Sequence, residues 1–264
     1  MGHSRALAVL PCLAIFASQG PGEDRLENSP RHHEWVEVDR GGGRTLHAFV
    51  AYPESKEKAG AVLVIHENKG LTDWVRAVAD QVAEAGLIAI APDLLSGTGP
   101  GGGRTDAFAS NDAATKALYG LEASQVSADL DAAARWVLER PACDGKLSVV
   151  GFCWGGSRTF EYATQRRGLK AAFVFYGSAP TDEAALAKIE CPVYGFYGES
   201  DARINATLPA TVEAMKTLGK TFEPVTYPGA GHGFLRAGEA AGASEANKAA
   251  MQEAWARLRK LLAS

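Results

Sequence analysis

The chain has 264 residues, 46% hydrophobic and 22% charged, enough to bury one sizeable core and unlike a disordered or collagen-like composition. Its 27 Lys and Arg against 31 Asp and Glu give a formal net charge of −4, with the basic residues scattered. No basic stripe offers a footprint for a phosphate backbone, so nucleic acid is not an expected partner.

Near the N-terminus, Arg5 precedes the apolar run Ala6–Ala17, and Ser18, Gln19, Gly20, Pro21 and Gly22 follow it. That order has the pattern of an export signal over residues 1–22, which would place the mature chain in the periplasm or outside the cell. Without such a leader the protein would be cytoplasmic. At about a dozen residues the run falls short of the roughly 20 that cross a bilayer, so no stable membrane span is expected. Of the four cysteines, Cys12 would leave with the leader, and Cys143, Cys153 and Cys191 would remain. In an oxidising compartment Cys143 and Cys191, each just ahead of an expected strand, are candidates for a bridge.

A polar stretch without periodicity runs to about Pro30, and one domain is expected over residues 35–264. Trp35–Val38 and Thr45–Ala51 read as a hairpin turned by Gly41, Gly42 and Gly43. Short continuous apolar runs follow at Ala61–His66, Leu87–Pro92, Leu147–Phe152, Ala171–Tyr176, Val193–Gly198 and Phe222–Tyr227. Continuous rather than alternating apolarity signals strands buried on both faces, as in a covered parallel sheet. Between them the helical period returns. Val75, Val78, Val82 and Ala83 share a face between Thr72 and Gly86, and Val126, Leu130, Ala133, Val137 and Leu138 share another ahead of Pro141. Further helices are expected at about 106–119, 155–167, 207–218 and 246–262. The alternation specifies an α/β fold, a mostly parallel central sheet with helices on both faces, whose ligands bind beyond the carboxyl ends of the strands.

Directly after the run Leu147–Phe152 stands Gly151-Phe152-Cys153-Trp154-Gly155-Gly156, a G-x-C-x-G sequence leading into a helix. It has the form of a strand-to-helix nucleophile elbow with cysteine in place of serine. A helix N-terminus favours thiolate over thiol. The chemistry then needs an acid and a histidine later in the chain, and both follow. Val193–Gly198 ends in Glu199-Ser200-Asp201, and Phe222–Tyr227 is followed by Pro228-Gly229-Ala230-Gly231-His232-Gly233-Phe234. His232 can take the thiol proton while Asp201 orients its other nitrogen; Glu199 and Asp182 are the competing acids. In the third cluster, His66-Glu67-Asn68-Lys69-Gly70-Leu71, the loop supplies one oxyanion-hole donor, so the backbone N–H groups of Asn68 and Trp154 are the candidates. Glu67 at the strand tip either faces the thiol or pairs with Lys69 at the surface.

HENKGL, APDLL, GFCWGG, YGESD and AGHGF, in that order over about residues 35–262, resemble the dienelactone hydrolases, a branch of the α/β-hydrolase fold. The resemblance implies an α/β-hydrolase fold and a hydrolase that opens an ester or lactone through a cysteine acyl-enzyme. It implies a Cys153, His232, Asp201 triad, with Glu67 held near the thiol until substrate arrives. It implies no cofactor and no metal; the expected partner is a small-molecule ester or lactone, and the expected state a monomer. Arg236 matches one of two arginines with which the family grips a substrate carboxylate. The position expected for the second holds Leu95-Ser96-Gly97 and a glycine-rich loop ending in Arg104, which either reaches the site or is solvated.

Two other functions fit the same residues: a broad carboxylesterase or thioesterase for neutral substrates, and a non-catalytic binding module on this fold. Phe152, Trp154, Phe196, Tyr197 and Phe234 are candidates to line an apolar pocket, with Phe234 beside the histidine. Trp74 and Trp136 read as packing residues. His32 and His33 have no spaced partner for a metal.

Overall fold

The continuous apolar runs become the inner strands of one eight-stranded sheet with strand order β1-β2-β4-β3-β5-β6-β7-β8. A computed structural model describes residues 21–41 and 43–264. The strands are β1 (His33–Asp39), β2 (Thr45–Ala51), β3 (Ala59–Ile65), β4 (Ile88–Pro92), β5 (Cys143–Phe152), β6 (Leu169–Phe175), β7 (Val193–Gly198) and β8 (Phe222–Tyr227). β1 and β2 form the antiparallel hairpin, β2 lies antiparallel to β4, and every pairing from β4 to β8 is parallel. Gly41 and Gly43 flank the turn at φ +81° and +79°, a region only glycine occupies freely. Gly42, the middle glycine of that predicted turn, lies outside the described residues.

The helices are α1 (Pro21–Asn28), α2 (Asp73–Glu84), α3 (Asn111–Tyr119), α4 (Ala123–Leu138), α5 (Trp154–Gln165), α6 (Glu183–Leu186), α7 (Ala202–Asn205), α8 (Leu208–Thr217), α9 (Phe234–Ala237) and α10 (Glu245–Ala263). α3, α4, α5 and α8 pack on one face of the sheet, through residues such as Leu118, Leu130, Phe160 and Met215. α2 and α10 cover the other, through Val75, Val78, Val82, Trp255 and Leu258. Burial on both faces is why the strands carry no alternation. The helix expected from residue 106 starts at Asn111. Ser110 caps it by accepting from the Ala113 N–H, and a short 3-10 turn, Thr105–Ala107, stands ahead of it.

Two expectations change. Cys143, Cys153 and Cys191 are all free, so the Cys143–Cys191 bridge is not formed. Cys143 opens β5 and Cys191 precedes β7, and β6 runs between those strands. Two strand spacings of about 4.8 Å exceed the Cα separation a disulfide tolerates. The polar stretch before Pro30 contains α1, a helix too short to persist alone. It is held from outside. Arg25 Nε lies 2.8 Å from Asp80 Oδ2, and Arg31 Nε (2.7 Å), Ser29 Oγ (2.5 Å) and His33 Nε2 (2.8 Å) all reach Asp80 Oδ1. Gly22 sits where a β-carbon would lie 2.9 Å from the Trp74 nitrogen, so α1 and α2 approach closely. The predicted export signal falls, apart from Pro21 and Gly22, outside the described residues. Among those residues no helix is long and apolar enough to cross a membrane.

Asp80 is buried on α2, and burial alone would raise its pKa. Hydrogen bonds from Arg31, Ser29 and His33, with the Arg31 charge, outweigh that and hold it well below the usual carboxylate range. Its stabilisation is therefore present above the unfolded value of about 3.9 and is lost as pH falls. Asp80→Ala is expected to lower stability by about 2–4 kcal/mol, discounted from a fully buried pair because Arg25 is partly exposed. Denaturant unfolding at pH 7 checks this, and the deficit should shrink toward pH 3.

Candidate active site

The elbow is built by three glycines. A β-carbon on Gly151 would collide with the Gly155 carbonyl and Thr159 Oγ1, one on Gly155 with the His66 carbonyl, and one on Gly156 with the Phe175 carbonyl. α5 therefore sits tight against the ends of β3 and β6, and the chain between β5 and α5 has a single residue in which to turn. That residue is Cys153, at φ +56° and ψ −115°, a conformation costly for a side chain other than glycine. Its N–H donates to the Phe175 carbonyl at 3.0 Å, and its thiol stands at the carboxyl end of the sheet.

His232 arrives on the loop after β8. Its Nε2 is 3.1 Å from Cys153 Sγ and its Nδ1 is 2.5 Å from Asp201 Oδ2. Asp201 is buried and caps α7 through the Ile204 N–H. The competing acid Glu199 has a different place. Its Oε2 accepts from the Gly229 N–H at 2.8 Å and ties the histidine loop to the end of β7. The Ser200 N–H donating to the Ala230 carbonyl, and Asn247 Oδ1 accepting from the Gly231 N–H, complete that anchorage. Asp182 caps α6 by accepting from the Ala184 N–H.

The hydrogen bond with Cys153 raises the His232 pKa most; burial opposes it and Asp201 adds to it, for a value pushed up to about 9. The shift favours the imidazolium form of a ring placed between a sulfur and a carboxylate. The Trp154 N–H is the first of α5, so its own helix offers it no acceptor. The Asn68 N–H belongs to the turn closed by Gly70 N–H donating to the Glu67 carbonyl. A thiol within hydrogen-bonding reach of a histidine that a carboxylate holds, with N–H groups at a helix start and in a neighbouring turn, is an arrangement that can carry acyl transfer.

A family model described as the dienelactone hydrolase family matches residues 46–264. The chain belongs to the dienelactone hydrolase family. It is 32% identical over 198 residues to a Methylorubrum extorquens protein provisionally named a carboxymethylenebutenolidase, covering 71% of this chain and 67% of the relative. A Saccharolobus solfataricus protein under the same provisional name is 30% identical over 249 residues, covering 83% of this chain and 94% of that one. A solved Klebsiella pneumoniae structure, provisionally described as a dienelactone hydrolase, matches with a TM-score of 0.77 and 27% identity, over 89% of this chain and 99% of its own.

Within this dienelactone hydrolase scaffold, Glu67 is buried, and its partner is Arg236 rather than Lys69. Arg236 Nε lies 2.8 Å from Glu67 Oε2. Arg236 is half exposed and Glu67 nearly enclosed. Arg104 is not brought there. Its guanidinium lies 3.7 Å from the centroid of the Trp35 ring and pairs with Asp106. Phe234 is fully buried between Tyr176 and Tyr227, which removes it as a substrate-facing residue. Phe152, Phe196 and Tyr197 are equally enclosed, and Trp154 is 8% exposed. An aromatic at a strand tip can pack into the core as readily as face a ligand, and here the rings belong to the core on the two faces of the sheet.

Three residues escaped sequence reasoning. Asp93, buried after β4, accepts from the Thr105 N–H and hydroxyl and the Leu95 N–H, and Thr105 Oγ1 in turn accepts from the Leu71 N–H. This ties the loop after β4 to the loop after β3. Tyr176 sits at φ +40° with its ring edge-on to His232, 5.1 Å between centroids, and a buried hydroxyl without a hydrogen-bond partner. Burial first, then the charges of Glu67 and Cys153, keep that hydroxyl protonated. His66, buried against Trp154, is the third. APDLL carried a signal for Asp93; nothing in the sequence marked the tyrosine.

An NMR pH titration of the His232 ring should show a midpoint near 9 in wild type. In Cys153→Ala it should fall toward the ordinary value of about 6.5, since the largest upward contribution is gone. A wild-type midpoint already near 6.5 would contradict the pairing.

Proposed function

We propose that this protein hydrolyses a carboxylic ester or lactone through a thioester on Cys153. The observation that carries the reading is the continuous chain of Cys153 Sγ, His232 and Asp201, at 3.1 and 2.5 Å, on an elbow only a glycine-lined turn can form. The Cys153 thiolate attacks the carbonyl carbon, and the carbonyl electrons move onto oxygen, where the Asn68 and Trp154 N–H groups receive them. Collapse of that intermediate expels the alkoxide, which takes the proton from His232 Nε2. Neutral His232 then removes a proton from water as the oxygen attacks the thioester, and expulsion of the thiolate restores the starting pair. Asp201 holds the ring and compensates its charge. A substrate carboxylate competes with Glu67 for Arg236, which couples recognition of an acidic lactone to release of a carboxylate beside the thiol. The provisional carboxymethylenebutenolidase name of the relatives supports this substrate class.

A broad esterase on neutral substrates is a second reading, favoured by one observation. Of the two arginines weighed for carboxylate recognition, Arg104 is engaged by Trp35 and Asp106, leaving Arg236 as the cation beside Glu67. The two readings separate in kcat/KM for a carboxylated dienelactone and a neutral p-nitrophenyl ester. Cys153→Ala should lose at least about 10³-fold on the better substrate, by analogy with removing the nucleophile of a triad. If the lactone is the substrate class, Arg236→Ala should lower kcat/KM for it by about 10–100-fold, as expected for a charge-assisted contact of about 1.5–3 kcal/mol, and spare the neutral ester. Equal effects on both would favour the second reading, and unimpaired hydrolysis by Cys153→Ala would overturn both.

A further inference from the structure

The loop after β3 contains a histidine that the proposed chemistry does not use. His66 is fully buried, and both ring nitrogens are engaged. Nε2 accepts from the Leu94 N–H at 3.3 Å, which leaves the ring proton on Nδ1. Nδ1 donates to the Glu67 carbonyl at 2.8 Å, and the Gly70 N–H adds a second bond to the same oxygen at 3.3 Å. The ring also stacks on Trp154, 5.8 Å between centroids and 12° between planes.

The Glu67–Asn68 peptide is a planar trans unit, since the described residues contain no cis bond. Its carbonyl and its N–H point in opposite directions. A bond that fixes the Glu67 carbonyl toward His66 therefore fixes the Asn68 N–H on the other side of the peptide plane. The same ring bears on the side chain of Trp154, whose N–H is the other proposed donor. His66 thus touches the carriers of both donors while touching neither reacting atom.

We propose that His66 is a positioning residue that sets the oxyanion hole, acting through the Glu67–Asn68 peptide and the Trp154 ring. The assignment rests on the acyl-transfer reading above. The two donors belong to separate elements, the turn after β3 and the start of α5, and stabilise a developing oxyanion only if both aim at one point. A neutral aromatic ring with one donor and one acceptor ties both to the Leu94 backbone after β4.

Two amide variants divide the ring's bonds. His66→Asn can place an amide N–H where Nδ1 stands and keep the bond to the Glu67 carbonyl, whereas His66→Gln reaches the Nε2 position and keeps only the acceptor for Leu94. The expected result is that His66→Gln loses about 10–100-fold in kcat, somewhat less than deleting an oxyanion donor outright, with KM little changed. His66→Asn should retain most of the wild-type kcat. Alkylation of Cys153 by iodoacetamide builds no oxyanion and should proceed at the wild-type rate in both. Equal kcat for the two variants, or hydrolysis and alkylation falling together, would overturn the assignment and leave His66 as packing. His66→Phe, which keeps the stack but neither bond, supplies the comparison if His66→Gln fails to fold, and should match the loss expected for Gln. Failure of the underlying reading is separately visible, as wild-type hydrolysis that survives Cys153→Ala.

Discussion

The close approach of α5 to the ends of β3 and β6 is the constraint from which the site follows. Gly151, Gly155 and Gly156 have no β-carbon because backbone carbonyls already occupy that space. With the helix so near, a single residue must carry the turn, and Cys153 does so at φ +56°. Strain in that residue is offset by the packing of a whole helix, so the thiol is held in place by the core rather than by a loop. The same contact puts the start of α5 beside the loop after β3, bringing the Glu67–Asn68 peptide and the Trp154 ring within reach of one histidine.

The loops at the carboxyl end of the sheet are tethered by further polar contacts. Glu199, Ser200 and Asn247 fix the histidine loop, Asp93 and Thr105 join the loops after β3 and β4, and Asp201 is anchored by its cap on α7. Loops are the mobile part of such folds, and each here is tied to a strand end or a helix. Donors held in this way are the kind that stabilise developing charge. Arg236 and Glu67 form a charge pair with one half-exposed member, the more open of these contacts.

Much of this was legible in the sequence because its signals are local. Continuous apolar runs marked the inner strands, glycine spacing marked the elbow, and the order Cys153, Asp201, His232 gave the residues that the structure brings into hydrogen-bonding distance. What the sequence did not reveal depends on tertiary partners. α1 exists because Asp80, about fifty residues away, gathers Arg25, Ser29, Arg31 and His33. Arg104 turns to Trp35 because a long glycine-rich loop can lay it on an aromatic face as easily as on a ligand. Phe234 points down, and Tyr176 adopts a left-handed backbone, because neighbouring strands and the histidine ring decide their space. Cys143 and Cys191 are adjacent to strands but not to each other, and strand order cannot be read from spacing.

Hydrolysis through Cys153 requires a covalent acyl intermediate on that sulfur. Rapid acid quench of the enzyme with a p-nitrophenyl ester, followed by peptide mass spectrometry, looks for that intermediate itself. An acyl group is expected on the peptide containing Cys153, appearing with the first burst of p-nitrophenol and absent from Cys153→Ala. Steady hydrolysis with no acylated Cys153 at any quench time, and the same rate in Cys153→Ala, would contradict it.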